Sequence, residues 1–316
     1  MSKRKAATLN NMAGVFAQQG DIPKAIALWE QSLEIDEQIG DVKGKATTLN
    51  NMAGVFAQQG LLPKAIALWE QSLEIKEQIG DVKGKATTFN NMALQFADQG
   101  DIPKAIALWE QSLEITEQIG DVFGKAATLN NMAQVIADQG DIPKAIALWE
   151  QSLEINEQIG NVFGKAATLN NMAGVFAQQG DIPKAIALWE QSLEINEQIG
   201  NVFGKATTLN KMAQVIYQQG DIPKAIALWE QDLEINEQIG NVFGKAATLN
   251  NMAGVIAQQG DIPKAIALWE QSLEITEQIG DVKGKATTLG NMAQVIYQQG
   301  DIPKAIALWE PMLGNR

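Results

Sequence analysis

Neither cysteine nor histidine occurs among the 316 residues. Their absence removes disulfides, thiol nucleophiles, the usual zinc ligands and the side chain most used for proton transfer near neutrality. It also leaves the redox compartment open. Basic residues are scarce, with 24 Lys and Arg against 37 Asp and Glu and a net charge of −13. Nucleic-acid readers need clustered Lys and Arg facing phosphate, so no nucleic-acid partner is expected. Long apolar runs are missing too. None approaches the roughly 20 residues that cross a bilayer. The opening MSKRKAATLN has basic residues with no apolar core behind them, so neither a secretion signal nor a membrane contact is expected. The chain is read as cytoplasmic.

What remains is regular. The segment Ala65 to Trp69, AIALW, recurs every 40 residues, and the eight tryptophans (Trp29, Trp69, Trp109, Trp149, Trp189, Trp229, Trp269 and Trp309) share one local context. A fixed period of this size marks a solenoid, in which one repeat cannot bury its own apolar face and stacking supplies the core. One continuous array over 1–316 is expected, in repeats 1–40, 41–80, 81–120, 121–160, 161–200, 201–240, 241–280 and 281–316.

Within 41–80, Gly60 and Gly80 each follow a helical run, where a helix ends in a left-handed residue. Two helices per repeat follow: helix A from about Val42, capped by Asp41, and helix B from about Leu62, with Pro63 in its first turn. Asp21 and Asp101 precede helix B in other repeats, whereas Leu61 stands there in the second. On helix A, Val42, Ala46, Leu49, Ala53 and Phe56 share one apolar face with Met52. Helix B carries two apolar rows, Leu62, Ile66, Trp69 and Leu73, and beside them Ala65, Leu68, Ile75 and Ile79. A stripe that broad has to be covered by helix A of its own repeat and by the next repeat.

The spacing L-x2-M-A-x2-F, then Gly, then A-x3-W, seen at Leu49, Met52, Ala53, Phe56, Gly60, Ala65 and Trp69, resembles the tetratricopeptide pattern. The period of 40 rather than 34, with Glu77 where a proline usually closes the repeat, is similar to the long-helix arrays of Pins-type G-protein-signalling modulators and of cyanobacterial proteins. The resemblance implies an all-α, right-handed α-solenoid of eight helix-turn-helix repeats, whose A helices line a concave groove that holds peptides or partner helices.

Copies within the chain can be compared with one another. They differ at position 43 (Lys43, Lys83, Phe123, Phe163, Phe203, Phe243, Lys283), at 54 (Gly14, Gly54, Gly174 and Gly254, but Leu94, Gln134, Gln214 and Gln294), at 57 (Ala except Tyr217 and Tyr297) and at 76 (Asp36, Lys76, Thr116, Asn156, Asn196, Asn236, Thr276). Positions 43, 47, 50, 54 and 57 fall on one helical row, and the groove positions implied by the resemblance map onto it. That row is the candidate partner-binding surface. Its floor is a column of asparagines, Asn10, Asn50, Asn90, Asn130, Asn170, Asn210 and Asn250, broken by Gly290. Gln134, Gln214, Gln294, Tyr217 and Tyr297 join it, and Phe123, Phe163, Phe203 and Phe243 form an aromatic rim. The amides suit the main chain of a peptide, or else they bond to the neighbouring repeat as a buried ladder. The phenylalanines are a contact line, or else they fold over the adjacent helix B near Ile159 and Ile199. Lys43, Lys83 and Lys283 are too isolated to clamp a C-terminal carboxylate.

Glu70, Glu74 and Glu77 read as a solvated convex face. No catalytic residue, metal ligand or cofactor is expected. The chain opens directly in helix A and Pro311 is expected to break the last helix, so both ends read as uncapped. A binding scaffold for a protein or peptide ligand is the first expectation. The alternative is a structural array that stacks head to tail as a homo-oligomer, or a piece or idealised consensus of a longer one.

Overall fold

The computed structural model describes residues 2–313, the side chains of 312 and 313 excepted. Sixteen α-helices and no strand occur among the described residues. The A helices are α1 (Ser2–Gln18), α3 (Val42–Gln58), α5 (Val82–Asp98), α7 (Val122–Asp138), α9 (Val162–Gln178), α11 (Val202–Gln218), α13 (Val242–Gln258) and α15 (Val282–Gln298). The B helices are α2 (Ile22–Ile39), α4 (Leu62–Gln78), α6 (Ile102–Gln118), α8 (Ile142–Gln158), α10 (Ile182–Gln198), α12 (Ile222–Gln238), α14 (Ile262–Gln278) and α16 (Ile302–Leu313). No described helix is long and apolar enough to cross a membrane.

The hairpin boundaries follow from local chemistry. Asp41 accepts from the Gly44 N–H, and Asp101 from the Lys104 N–H, each satisfying a donor that has no partner inside its helix. Leu61 makes no side-chain cap bond. Gly60 and Gly80 turn the chain with φ of 77° and 69°, a region that side chains with a Cβ seldom enter. Pro311 does not end its helix: α16 runs through it to Leu313. So close to the C-terminal end, the proline removes one donor without the turns beyond it that would have to bend.

The chain divides into two compact units, Met1–Ala17 with Asp21–Ile199 and Gln18–Gly20 with Gly200–Arg316. Within each, a B helix packs against the A helix of its own repeat and that of the next, and successive A helices also touch, as α3 does α5 and α11 does α13. Crowding along the A helices makes them the inner layer of each α-solenoid. Seven tryptophans are fully buried and lie at the three-helix junctions so formed, as Trp269 does among Ala253, Ile256 and Met292. At about 25 cal/mol/Å², each such ring contributes up to roughly 4–6 kcal/mol.

The apolar pattern needs two corrections. Val42 and Ile79 are 49% and 38% exposed, and most of their counterparts behave alike, whereas Ile279 is buried and Ile239 and Val242 are half-buried. Val42 and Ile79 sit at the turn from helix B to the next helix A, beyond the reach of the neighbouring helices. Conversely, Ser72 and Lys76 on helix B are buried beside Trp69. That polar column lies under the inner face, where the candidate site is.

Candidate ligand groove

In the C-terminal unit, helices α11, α13 and α15 enclose two neighbouring cavities. The larger, about 730 Å³, is lined by Phe203, Asn210, Gln214, Phe243 and Asn250, with Asp232 and Asn236 of helix B at its base. The smaller, about 460 Å³, takes in Gln214, Tyr217, Asn250 and Gln294. The expected row is therefore brought together here on one surface. In the N-terminal unit a cavity of about 230 Å³ is lined by Lys3, Asn10, Asp36, Asp41 and Lys43.

The asparagine column is tied to its neighbours, as the ladder alternative expected. The second asparagine of each following repeat donates to it: Asn51 to Asn10, Asn131 to Asn90, Asn171 to Asn130, Asn251 to Asn210 and Asn291 to Asn250, at 3.1–3.3 Å. Trp109 and Trp269 donate their indole N–H to Asn90 Oδ1 and Asn250 Oδ1. Because an indole nitrogen only donates, these two carboxamides must turn their oxygens inward. Their Nδ2 groups then have no partner among the described residues. Asn50 Oδ1 accepts from Thr88 instead, and Asn50 and Asn170 are the most buried of the set. At Asn90 and Asn250 the floor thus uses its acceptors for stacking and keeps donors for the groove, whereas Asn210 spends its Nδ2 on Asp232 and Thr248.

The remaining expected residues fall less uniformly. Gln214 donates to Asn210 and Gln134 to Asp138, both within their own helix, and Gln294 is exposed. Tyr217 donates to Gln258 and its ring lies 6.2 Å from that of Trp229, while the half-exposed Tyr297 ring lies 5.9 Å from Trp309. The four rim phenylalanines are exposed: Phe123 56%, Phe163 58%, Phe203 58% and Phe243 40%. They do not fold down over helix B.

At the lysine positions the rim is built differently. Lys3, Lys43 and Lys83 pair with Asp41, Asp81 and Asp121, the caps of the following A helices, at 2.9, 3.9 and 3.1 Å. Where Phe123, Phe163 and Phe203 stand, the residue 38 positions on is Asn161, Asn201 and Asn241. An asparagine cap does more than hold its helix: Asn161 accepts from Gly164 N–H and donates to Asn156 Oδ1 at 2.7 Å, and Asn156 donates to Ser152. Asn241 and Asn236 repeat this relay. A Cβ at Gly164 would collide with both carboxamides, which explains the glycine at the third place of helix A.

Position 76, outside the expected row, proves to be the buried variable element of the site. Its signal in the sequence was the coincidence of Asn156, Asn196 and Asn236 with asparagine caps five residues later, a coupling that periodicity does not reveal. Lys76 donates to Thr88, and burial pushes its ammonium pKa down to about 8 against the pull of Asp81. Burial, and then Asp41, push the Asp36 carboxyl up, opposed by Lys3. Asp232, where sibling repeats have serine, is also pushed above the ordinary carboxylate range by burial; donors from Thr248, Asn210 and Asn236 hold it back. Burial likewise lowers Lys211. No group of three or more acidic side chains that could hold a metal ion occurs among the described residues.

The sequence model of the tetratricopeptide repeat matches residues 4–78, 84–158, 124–198, 164–238 and 244–310, and the chain belongs to that family of repeat scaffolds. No curated protein matches it in sequence. Solved structures similar to it include aspartyl phosphate phosphatase F from Bacillus subtilis, 13% identical with a TM-score of 0.63 over 98% of this chain and 93% of that one. The Rap protein complexed with Competence and Sporulation Factor is 13% identical, TM-score 0.59, over 98% and 97%. BtubC (BKLC) from P. vanneervenii is 19% identical, TM-score 0.57, over 67% and 92%. Identities this low show a shared fold and nothing finer.

Proposed function

We propose that the chain is a non-catalytic scaffold that holds an extended peptide or helical segment of another protein against its A helices. The observation that carries this reading is the groove over α11, α13 and α15, where exposed Phe203 and Phe243 flank amides whose acceptors are already used. The Nδ2 donor of Asn250, without a partner among the described residues, matches a carbonyl oxygen of an extended main chain, and aromatic side chains at the edge supply most of the apolar contact. The Rap protein, of similar fold, was solved with Competence and Sporulation Factor bound, an analogy of fold alone. A pool of random decapeptides offered to immobilised protein tests the reading. Capture by the wild type, and its loss in a Phe203→Ser, Phe243→Ser double variant of unchanged helicity, is expected. Equal capture by both would refute the rim, and no capture by either would refute the groove.

A second reading is self-stacking. Met12 and Val15 on α1 are 44% and 51% exposed, whereas their counterparts Met52 and Val55 are buried against a neighbouring repeat. A second copy that covers them with its α16, where Ile302 and Ile306 are exposed, would make a heterologous contact. Light scattering across a concentration series should then show growing mass; a constant monomer mass rejects it.

A further inference from the structure

Asp232 stands in a column that reads Ser32, Ser72, Ser112, Ser152, Ser192 and Ser272 in six other repeats and Met312 in the last. In all six serine siblings the hydroxyl donates to a backbone carbonyl of helix A, as Ser72 does to Ala46 and Ser272 to Ala246. A carboxylate cannot donate, so the local network is reversed around it. Asn210 and Thr248 donate to Oδ2, and Asn236 donates to Oδ1. These three donors are neutral: they satisfy lone pairs and cancel no charge. Asp232 is 1% exposed, yet it lines the 730 Å³ cavity.

A buried charge with no counter-ion is a costly arrangement that a serine would avoid. Lys211, Lys283 and Asp281 also border the cavity, but no ion pair joins a lysine to Asp232 among the described residues. Lys283 is exposed at the rim, where water screens it. Asp232 is therefore a carboxylate beneath the groove that no lysine pairs with, and its Oδ1, with one donor, keeps acceptor capacity.

We propose that the groove of the C-terminal unit selects its ligand by a cation, a lysine or arginine side chain of an extended peptide whose charged head lies over Asp232. This rests on the peptide-groove reading above. Phe203 and Phe243 border the same cavity, so the ligand's aliphatic stem has apolar surface to lie on and its head an aromatic face within reach. In the free protein the carboxylate is a liability; with ligand bound it gains the counter-ion it lacks.

The full chain is immobilised as wild type, Asp232→Ser and Asp232→Asn and offered N-acetylated, C-amidated random decapeptides, which carry no terminal charges. The bound pools are sequenced by mass spectrometry. Lysine or arginine enriched about tenfold on the wild type over both variants, a difference worth about 1.4 kcal/mol, is the result expected, with the variants still capturing peptide. The same cation content on all three overturns the role of Asp232 and leaves the groove reading standing. Capture by none overturns both. Asp232→Asn, nearly isosteric, guards against a serine variant that repacks.

Discussion

The rim of the first three repeats and the rim of the next three solve the same local problem with opposite chemistry. In the first, Lys43 and Lys83 lean on the carboxylate caps Asp81 and Asp121, and the column beneath is charged, with Asp36 and Lys76 buried. In the second, Phe123, Phe163 and Phe203 replace the lysines, and an asparagine cap has no charge for a lysine to meet. Beneath lie Asn156 and Asn236, bonded to caps Asn161 and Asn241. Rim, cap and floor have changed together. A carboxylate cap accepts only, so it works with a lysine on its outer side; a carboxamide cap accepts and donates at once, and frees the rim position to be apolar. The difference teaches that an asparagine cap can accompany an aromatic rim, although Phe243 keeps its exposed ring with the aspartate cap Asp281 38 residues on.

Breaking the charged half should have the largest effect. Lys76→Thr, which copies the Thr116 arrangement, is expected to stabilise the fold at pH 7 by up to about 3 kcal/mol, the equivalent of lowering an ammonium pKa from 10.5 to about 8. Chemical denaturation checks it. In the wild type the folded state binds fewer protons than the unfolded chain between about pH 8 and 10.5, so stability should rise with pH across that window. The variant should lose the Lys76 share of that rise and keep only what Lys211, also lowered by burial, contributes. An unchanged midpoint at pH 7 would mean that Lys76 reaches water.

Breaking the neutral half comes next. Gly164→Ala places a methyl group against Asn156 and Asn161 and should destabilise by about 1–3 kcal/mol through overpacking, measured as a lower thermal midpoint. Gly174→Ala, with nothing within 4 Å of its added Cβ, is the control and should not destabilise. Smaller again, Leu61→Asp supplies the cap that the second repeat lacks, with a gain of about 1 kcal/mol expected. Smallest is Lys83→Ala, which removes an ion pair that is 65% exposed on the lysine side; the loss should be below about 1 kcal/mol and vanish at high salt.

Much of this was legible in the sequence because one repeat was written eight times. Trp69 and Ala65, the caps Asp41 and Asp101 and the turns at Gly60 and Gly80 obey local rules that repetition made visible, and the row through Phe203, Asn210, Gln214 and Tyr217 could be traced by helical spacing alone. The buried column was not. Ser72 and Lys76 are polar, and a hydropathy pattern places them on the outside, whereas a three-helix junction buries whatever side chain stands beside its tryptophan. Nor did spacing reveal that Asn90 and Asn250 turn their oxygens inward, since that orientation depends on Trp109 and Trp269 arriving from helix B. Val42 and Ile79 erred in the other direction: their period was right, but both stand past the last contact at the turn.

The central claim is that recognition takes place on the A helices. Hydrogen–deuterium exchange of the full chain, free and with a captured decapeptide, tests it most directly. Added protection confined to Val202–Gln218, Val242–Gln258 and Val282–Gln298 is the predicted result. Protection of the Glu-bearing faces of Ile222–Gln238 and Ile262–Gln278, with the A helices unchanged, would contradict it.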